Sequence, residues 1–303
     1  MVDVCLLGCG GMMPLPERWL TSMMIRYNGK MIMVDCGEGN QIQIRRCGWG
    51  FKNIDAICLT HYHPDHIAGL PGFLLTLGNS TRSEPLTIIG PPGLYEIMNG
   101  IMILAHDIPY ELNLIEVKDD EITEIEIDAF TITCLPVDHT DPCLAYSIDV
   151  KRYPLFDVEL AQANGVPQEL WSVLQQGYSI EVEEGGFTPD MVLGKERRGV
   201  KVCYTTDTRP TLGLVDLARD ADLLICEGMY GEPTMVEKAK LNKHMTFSEA
   251  AMIAKTAKVR RLWLTHYSPS MSNPEDYLDA TRMIFMNTEL GENLKKAIFN
   301  YDE

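Results

Sequence analysis

Apolar runs of strand length alternate with runs of helical period along this chain, and glycine or proline marks most of the joins. Residues 2–7 predict a strand that leads into Gly8-Cys9-Gly10-Gly11, where glycine permits a positive φ or a close backbone approach. A plain tight turn is the simpler reading there. Residues 21–27 and 30–35 flank Asn28-Gly29, the preferred pair for a two-residue hairpin. Asp35-Cys36-Gly37-Glu38-Gly39 closes that hairpin with a carboxylate at a strand end, ahead of a helix over about 40–47. The run Ala56-Ile57-Cys58-Leu59 then predicts a buried strand. Behind it Pro64 forces a turn, and a helix is expected to start near Asp65 and His66 and to run through Ile67, Leu70, Leu74 and Leu75. A strand over 86–89 and a helix over 94–104 follow, then strands over 111–117, 121–127 and 130–135 whose polar alternation leaves one sheet face in solvent. Residues 143–150 continue as another strand.

Between 151 and 199 the pattern changes to sparse apolar positions and frequent turns. Short helices are expected over 157–163 and 167–175, and a hairpin over 178–187 turning at Gly185-Gly186. Strands resume at 200–205, 222–226 and 261–264. Thr246-Phe247-Ser248-Glu249 is a capping box, which starts a helix with Ala250, Ile253, Ala254 and Ala257 as its buried stripe. Asn273-Pro274-Glu275 starts a last helix, expected to reach about Leu290. The succession predicts a layered α/β protein.

Composition narrows the class. The 303 residues are 46% hydrophobic and 23% charged, ordinary for one large globular domain. No apolar run approaches the roughly 20 residues that span a bilayer, and MVDVCLLGCGG is unlike a basic secretory leader, so a cytoplasmic protein with no membrane partner is expected. Nine scattered cysteines without a C-x-x-C pair fit reduced core thiols. The net charge of −17 opposes nonspecific nucleic-acid binding, which depends on Lys and Arg at phosphates.

The candidate chemistry lies in Thr60-His61-Tyr62-His63-Pro64-Asp65-His66. In an extended segment His61 and His63 point to one side, and the helix start behind Pro64 presents Asp65 and His66. Ionisable groups packed this closely repel one another unless a cation lies between them, and imidazole with carboxylate suits zinc or its first-row neighbours. Six of the seven histidines, His61, His63, His66, His139, His244 and His266, stand at or just beyond a predicted strand end or helix start, and only His106 does not. Asp35, Asp65, Asp207 and Glu227 occupy the same kind of position, the edge where open α/β sheets bind ligands. Alone, His139 or His266 would be an ordinary core or surface residue, His244 a loop residue and Asp207 a helix N-cap.

With VDCGEGNQ upstream and VDHT, TTDTRP, HMTFSEA and LTHYS downstream, THYHPDHIAGLPG resembles the metallo-β-lactamase superfamily and, within it, the ribonuclease Z family of tRNA 3′-processing endonucleases. H-x-H-x-D-H alone marks the superfamily. The GLPG tail, the D-C-G-E-G-x-Q element and H-x-T with its capped helix narrow it, and the likeness runs in order from LLGCGG to LTHYS. The resemblance implies a four-layer αβ/βα sandwich over residues 1–303, with an inserted arm at 151–199 and two zinc ions at its edge, manganese or another first-row divalent ion being the substitutes. It implies one ion on His61, His63 and His139, the other on Asp65, His66 and His266, and Asp207 bridging. The implied reaction removes the 3′ trailer from precursor tRNA. A hydroxide between the ions attacks phosphorus, Asp65 orients or deprotonates it, and His244, oriented by Glu227, protonates the leaving oxygen, giving a 3′-hydroxyl and a 5′-phosphate. A homodimer is also implied, in which the arm grips the tRNA elbow.

The chain departs from the family pattern in places. The family arm carries a Gly-Pro element and basic side chains, whereas this one reads Gly165-Val166-Pro167-Gln168-Glu169 and has no Lys or Arg from 155 to 194, where Asp157, Glu159, Glu169, Glu181, Glu183, Glu184 and Asp190 stand. Cys226, Met245 and Asn40 replace the family's usual His, Ser and Thr. The acidic arm motivates an alternative, a phosphodiesterase of the same fold acting on a non-tRNA phosphodiester. A metal-binding protein without turnover is a third reading, but it leaves His244 and Glu227 without a task.

Overall fold

The first apolar run forms β1 (Val2–Gly8), and Asn28-Gly29, both with positive φ, turns β2 (Ser22–Tyr27) into β3 (Lys30–Val34). The computed structural model describes residues 1–152, 154–182 and 185–301. After β3 come α1 (Asn40–Cys47), β4 (Ile54–Cys58), α2 (Pro64–Ile67), α3 (Leu70–Asn79), β5 (Leu86–Gly90), α4 (Leu94–Leu104) and β6 (Leu112–Glu116). From β3 to β6 the strands pair in parallel, and β1 and β2 extend that sheet antiparallel. The apolar faces of α1, α3 and α4 cover the sheet, with Ile44, Phe73, Leu74 and Met98 in the core they share. Each such side chain removed from water contributes about 1.5–3 kcal/mol, which is what makes the covering helices obligatory.

The second sheet repeats the plan. β7 (Thr123–Ile127), β8 (Phe130–Val137) and β9 (Cys143–Arg152) form an antiparallel meander. The stretch that follows holds α5 (Val158–Ala163), α6 (Trp171–Gln175) and the hairpin of β10 (Ile180–Val182) and β11 (Gly185–Phe187). Then come β12 (Arg197–Thr205), α7 (Leu212–Leu217), β13 (Leu223–Glu227), α8 (Val236–Asn242), α9 (Phe247–Thr256), β14 (Leu262–Thr265), α10 (Leu278–Arg282), β15 (Thr288–Leu290) and β16 (Lys295–Phe299). β12 to β15 are parallel, and β16 crosses back to pair with β1. Polar bonds stitch the facing sheets: Thr21 Oγ1 meets Tyr204 Oη at 3.2 Å and Thr265 Oγ1 at 2.7 Å, and Tyr146 Oη donates to the Leu59 carbonyl at 2.5 Å. Two mixed sheets flanked by helices are the αβ/βα sandwich that the family resemblance implies. No helix of the described residues is long and apolar enough to cross a membrane, and all nine cysteines are free and buried.

Four expectations change. The helix predicted to run unbroken from Asp65 to Leu75 is two helices, α2 and α3. Pro71 has no N–H to continue the ladder, and Gly69 is pressed so close to the loop after β3 that a Cβ there would sit 2.1 Å from the Gly37 carbonyl oxygen. The last helix stops at Arg282 instead of about Leu290, because the chain turns to lay β15 beside β14, with Arg282 Nε donating to the Thr288 carbonyl at 3.0 Å. Gly185 and Gly186 belong to β11, paired with Val182 and Glu181, so the turn is not theirs. Finally, 151–199 is not poor in core. The chain divides into one compact unit of Met1–Val150 and Val200–Asn300 and another of Lys151–Gly199 with Tyr301. Within the second, Ala161, Val166, Leu174 and Val192 are buried under Phe156, Trp171 and Phe187. Glu183 and Glu184 lie outside the described residues.

Candidate metal centre

The C-terminal ends of β4, β8, β12, β13 and β14 carry His61, His139, Asp207, Glu227 and His266 to one edge of the larger unit, as ligand-binding α/β sheets do. His63 stands at the N-cap position of α2 without a side-chain cap bond, and Asp65 and His66 lie within that short helix. Two residues leave their strands with left-handed backbones, Asp35 (φ 60°) and His266 (φ 56°), at a cost of about 1–2 kcal/mol each that the surrounding contacts must hold. Asp207 is no N-cap: α7 is capped by Thr211, and Asp207 turns to the imidazoles. His106 stands apart, exposed, beside Asp107.

The donor atoms form two clusters that share one carboxylate. In the first, His61 Nε2 is 2.9 Å from His63 Nδ1, which is 3.5 Å from His139 Nε2. Asp207 Oδ2 completes it, 3.5 Å from His61 Nε2 and 3.8 Å from His139 Nε2. In the second, Asp65 Oδ2 lies 3.4 Å from His66 Nε2 and 3.3 Å from His266 Nε2, and those two nitrogens are 3.3 Å apart. The other Asp207 oxygen, Oδ1, is 3.5 Å from His66 Nε2 and 3.1 Å from His266 Nε2. Four donors about 2.0–2.1 Å from a tetrahedral ion stand roughly 3.3 Å apart, so both clusters fit a first-row divalent ion, the first less evenly.

The protons decide that fit. His66 Nδ1 donates to buried Asp35 Oδ2 at 2.8 Å, His139 Nδ1 to the Lys243 carbonyl at 3.2 Å, and His61 Nδ1 to Thr60 Oγ1 at 3.1 Å, since that hydroxyl spends its own proton on Asp35. His63 presents Nδ1 to the cluster and turns Nε2 to Asp141 Oδ2 at 2.8 Å. In these tautomers His61, His63, His66 and His139 turn bare lone pairs toward the carboxylate oxygens of Asp65 and Asp207, an arrangement that asks for a cation, while Nδ1 of His266 is buried with no partner among the described residues. The titration behaviour agrees. Burial pushes His61 and His139 well down or down from the ordinary imidazole value. Burial pushes His66 the same way, but the charges of Asp35 and Asp207 prevail and hold it well above, so a positive charge is favoured at Nε2, a proton or the ion that replaces it. Asp65 and Asp207 stay far below the usual carboxylate range against the pull of burial, Asp65 through its bonds to His266 and His66, Asp207 through the charges of His266, His66 and His61.

His244 joins the centre from the loop before α9. Its Nδ1 is 3.2 Å from Oε2 of fully buried Glu227, whose oxygens also accept from the Thr208 N–H at 2.6 Å and the Met245 N–H at 3.1 Å. Burial lowers the His244 pKa, but the Glu227 charge and hydrogen bond outweigh it and raise it to about 9. The imidazole ring lies over that of His266, centroids 5.6 Å apart. The Arg209 guanidinium ties the His244 carbonyl to Glu249, the capping-box residue of α9, and so locks this loop to the Asp207 segment.

Every residue singled out in the sequence for the centre is thus brought together, and several that matter were not singled out for their roles. Gly11 is more than part of a plain tight turn. A Cβ at Gly11 would lie 2.7 Å from His266 Nε2, so the glycine is there for close approach. The next N–H, of Met12, donates to Asp65 Oδ2 at 2.7 Å. Asp35, noted only as a strand-end carboxylate, is the orienting partner of His66. A charged residue just behind an apolar strand was the available signal. Asp141 and Arg209 carry no such signal, because their partners are distant in sequence.

Residues 21–150 match the Metallo-beta-lactamase superfamily. The chain is 50% identical to "Ribonuclease Z" of Lachnoclostridium phytofermentans, with 100% of this chain and 99% of that protein aligned, and 51% identical to "Ribonuclease Z" of Clostridium acetobutylicum over the same shares. Among solved structures it is similar to the short form of human tRNase Z, at 24% identity and a TM-score of 0.71, covering 98% of each chain.

Proposed function

The chain belongs to the ribonuclease Z family, and on that premise we propose that it is a metal-dependent endoribonuclease that removes the 3′ trailer from precursor tRNA, leaving a 3′-hydroxyl and a 5′-phosphate. The observation that carries this is the pair of donor clusters joined through the two oxygens of Asp207, with the His244–Glu227 pair beside them. Five imidazoles and two carboxylates support zinc as the resident ion and two as its number. When bound, such ions polarise the phosphoryl oxygen and supply a water that is ionised near neutral pH.

The chain's own residues do the rest. Asp65, fixed by the Met12 N–H and kept ionised, orients the attacking water and accepts its proton. His244, held protonated by Glu227, gives a proton to the departing 3′ oxygen. Water is the nucleophile, so the ribose 2′-hydroxyl is not consumed. The free, buried thiols support a reducing, cytoplasmic setting.

We assign 151–199 to binding the tRNA elbow in a homodimer, on the strength of its place in the chain and its own small core. Purified protein is expected to cut a precursor tRNA beside the discriminator base, and chelator is expected to abolish the cut. Cleavage of an aryl phosphodiester alone would replace the tRNA reading with that of a small-ester hydrolase. Deleting 155–194 is expected to raise KM for precursor tRNA at least tenfold, about 1.4 kcal/mol of binding, while hydrolysis of the aryl ester persists. Unchanged tRNA kinetics in that variant would remove the arm from substrate binding.

A further inference from the structure

The five imidazole donors are not supported alike: four have a partner on the nitrogen turned away from the cluster, and Nδ1 of His266 is buried without one among the described residues. The far nitrogen of His66 rests on a fully buried carboxylate, that of His61 on a fully buried hydroxyl, and that of His139 on a main-chain carbonyl. His63 differs. Its side chain is 39% exposed, and the partner of its Nε2, Asp141, is 57% exposed. The 2.8 Å contact is nevertheless built in, because the short loop that carries Asp141 is pinned on both sides. The Asp138 N–H donates to Thr208 Oγ1 at 3.1 Å, and its carbonyl accepts from the Arg209 N–H at 3.0 Å. On the far side the Leu144 N–H donates to the Thr60 carbonyl at 2.9 Å, directly behind His61. The loop therefore fixes where the carboxylate stands relative to His63.

From this geometry we infer that Asp141 is a positioning residue for His63, and that the ion of the His61, His63 and His139 cluster is the more exchangeable of the two. The inference rests on the metal-centre reading above. An acceptor at Nε2–H selects the tautomer with a free Nδ1, orients the ring and raises the basicity of the donor atom. Of all the orienting partners in the centre this one is the most open to water, so its support is the most screened and the first to be lost. The second cluster is also the more enclosed, since the side chains of Asp65, His66 and His266 are 10%, 0% and 1% exposed.

The test is a competitive titration of the two-ion protein with zinc and a chromogenic chelator. Partner losses of this kind cost about 10–100-fold in metal affinity, and the exposure of Asp141 places the expected loss for Asp141→Ala near tenfold, at one ion only. Asp141→Asn keeps an acceptor without the charge and is expected to fall between, and Asp141→Glu to restore most of the affinity. In the cobalt-substituted protein, Asp141→Ala is expected to alter the visible bands of the ion that leaves first on chelation of the wild type. Wild-type affinity at both ions in Asp141→Ala, or an equal loss at both, overturns the inference, as does a loss at the tighter ion alone. Equal circular dichroism of the metal-free proteins separates positioning from misfolding: a variant whose spectrum collapses shows that Asp141 is structural and overturns it too. A wild-type chain that takes up no ion fails at an earlier point, overturning the reading of the centre itself.

Discussion

His244→Ala is expected to lower kcat on precursor tRNA about 10²–10⁴-fold while the bound ions stay in place. The expected range corresponds to about 3–5 kcal/mol of transition-state stabilisation, the share one positioned proton donor supplies. The geometry gives His244 two candidate tasks, since it lies within donor reach of Asp207 and His266 as well as on Glu227. A ligand and an acid respond differently to removal. As the acid, His244 leaves both clusters complete when it goes, and its loop survives because Arg209 grips the main-chain carbonyl, not the ring. As a ligand, it would take an ion with it, so ion content measured alongside turnover decides the role. The pH profile adds an independent check. An acid works while protonated, so activity falls as pH rises through its pKa, and Glu227 is what holds that pKa up, near 9. Glu227→Gln removes the charge, and the alkaline limb of kcat is expected to move to lower pH. A limb that stays put would show that another group donates the proton.

What was legible in the chain is what repeats at short range. His61, His63, Asp65 and His66 fall within one strand end and one helix start, so two periods suffice to place them together. The hairpin at Asn28-Gly29 and the helix behind Thr246 follow from backbone chemistry local to a few residues. His139, Asp207 and His266 could be placed at strand ends, but their convergence on shared points is tertiary, set by the order in which β8, β12 and β14 lie in the sheet. Their grouping came from the family resemblance.

The misreadings share that cause. Nothing within 283–290 says that the chain leaves the helix there. The reason is the edge of β14, well upstream in sequence, where Leu262 pairs with Thr288 of β15. Gly69 breaks the α2–α3 run because of Gly37, and Gly11 is required by His266, so each glycine's reason stands on another segment. The packing within 151–199 is hidden in the sequence for a related reason. Its apolar residues are spaced widely along the chain, yet Phe156, Val166, Trp171 and Val192 meet in one cluster.

Asp207 carries the largest expected effect, because it is the one residue on which both donor clusters depend. Its Oδ2 faces His61 and His139, its Oδ1 faces His66 and His266, and it is almost fully buried. Asp207→Ala is expected to abolish cleavage, by more than about four orders of magnitude, since activation of the water and polarisation of the phosphoryl group are lost together. Thermal denaturation makes the cause visible. A ligand bound to the native state stabilises it by RT ln(1 + [L]/Kd), so chelator is expected to lower the Tm of the wild type and to leave that of Asp207→Ala unchanged. Asp207→Asn separates bridging from mere charge. It keeps the shape and one acceptor oxygen but cannot offer lone pairs to both clusters, so ion content is expected to drop from two per chain to one or fewer. Two tightly held ions in Asp207→Asn would mean that the clusters are independent, and that the shared carboxylate screens repulsion between imidazoles instead of joining the ions.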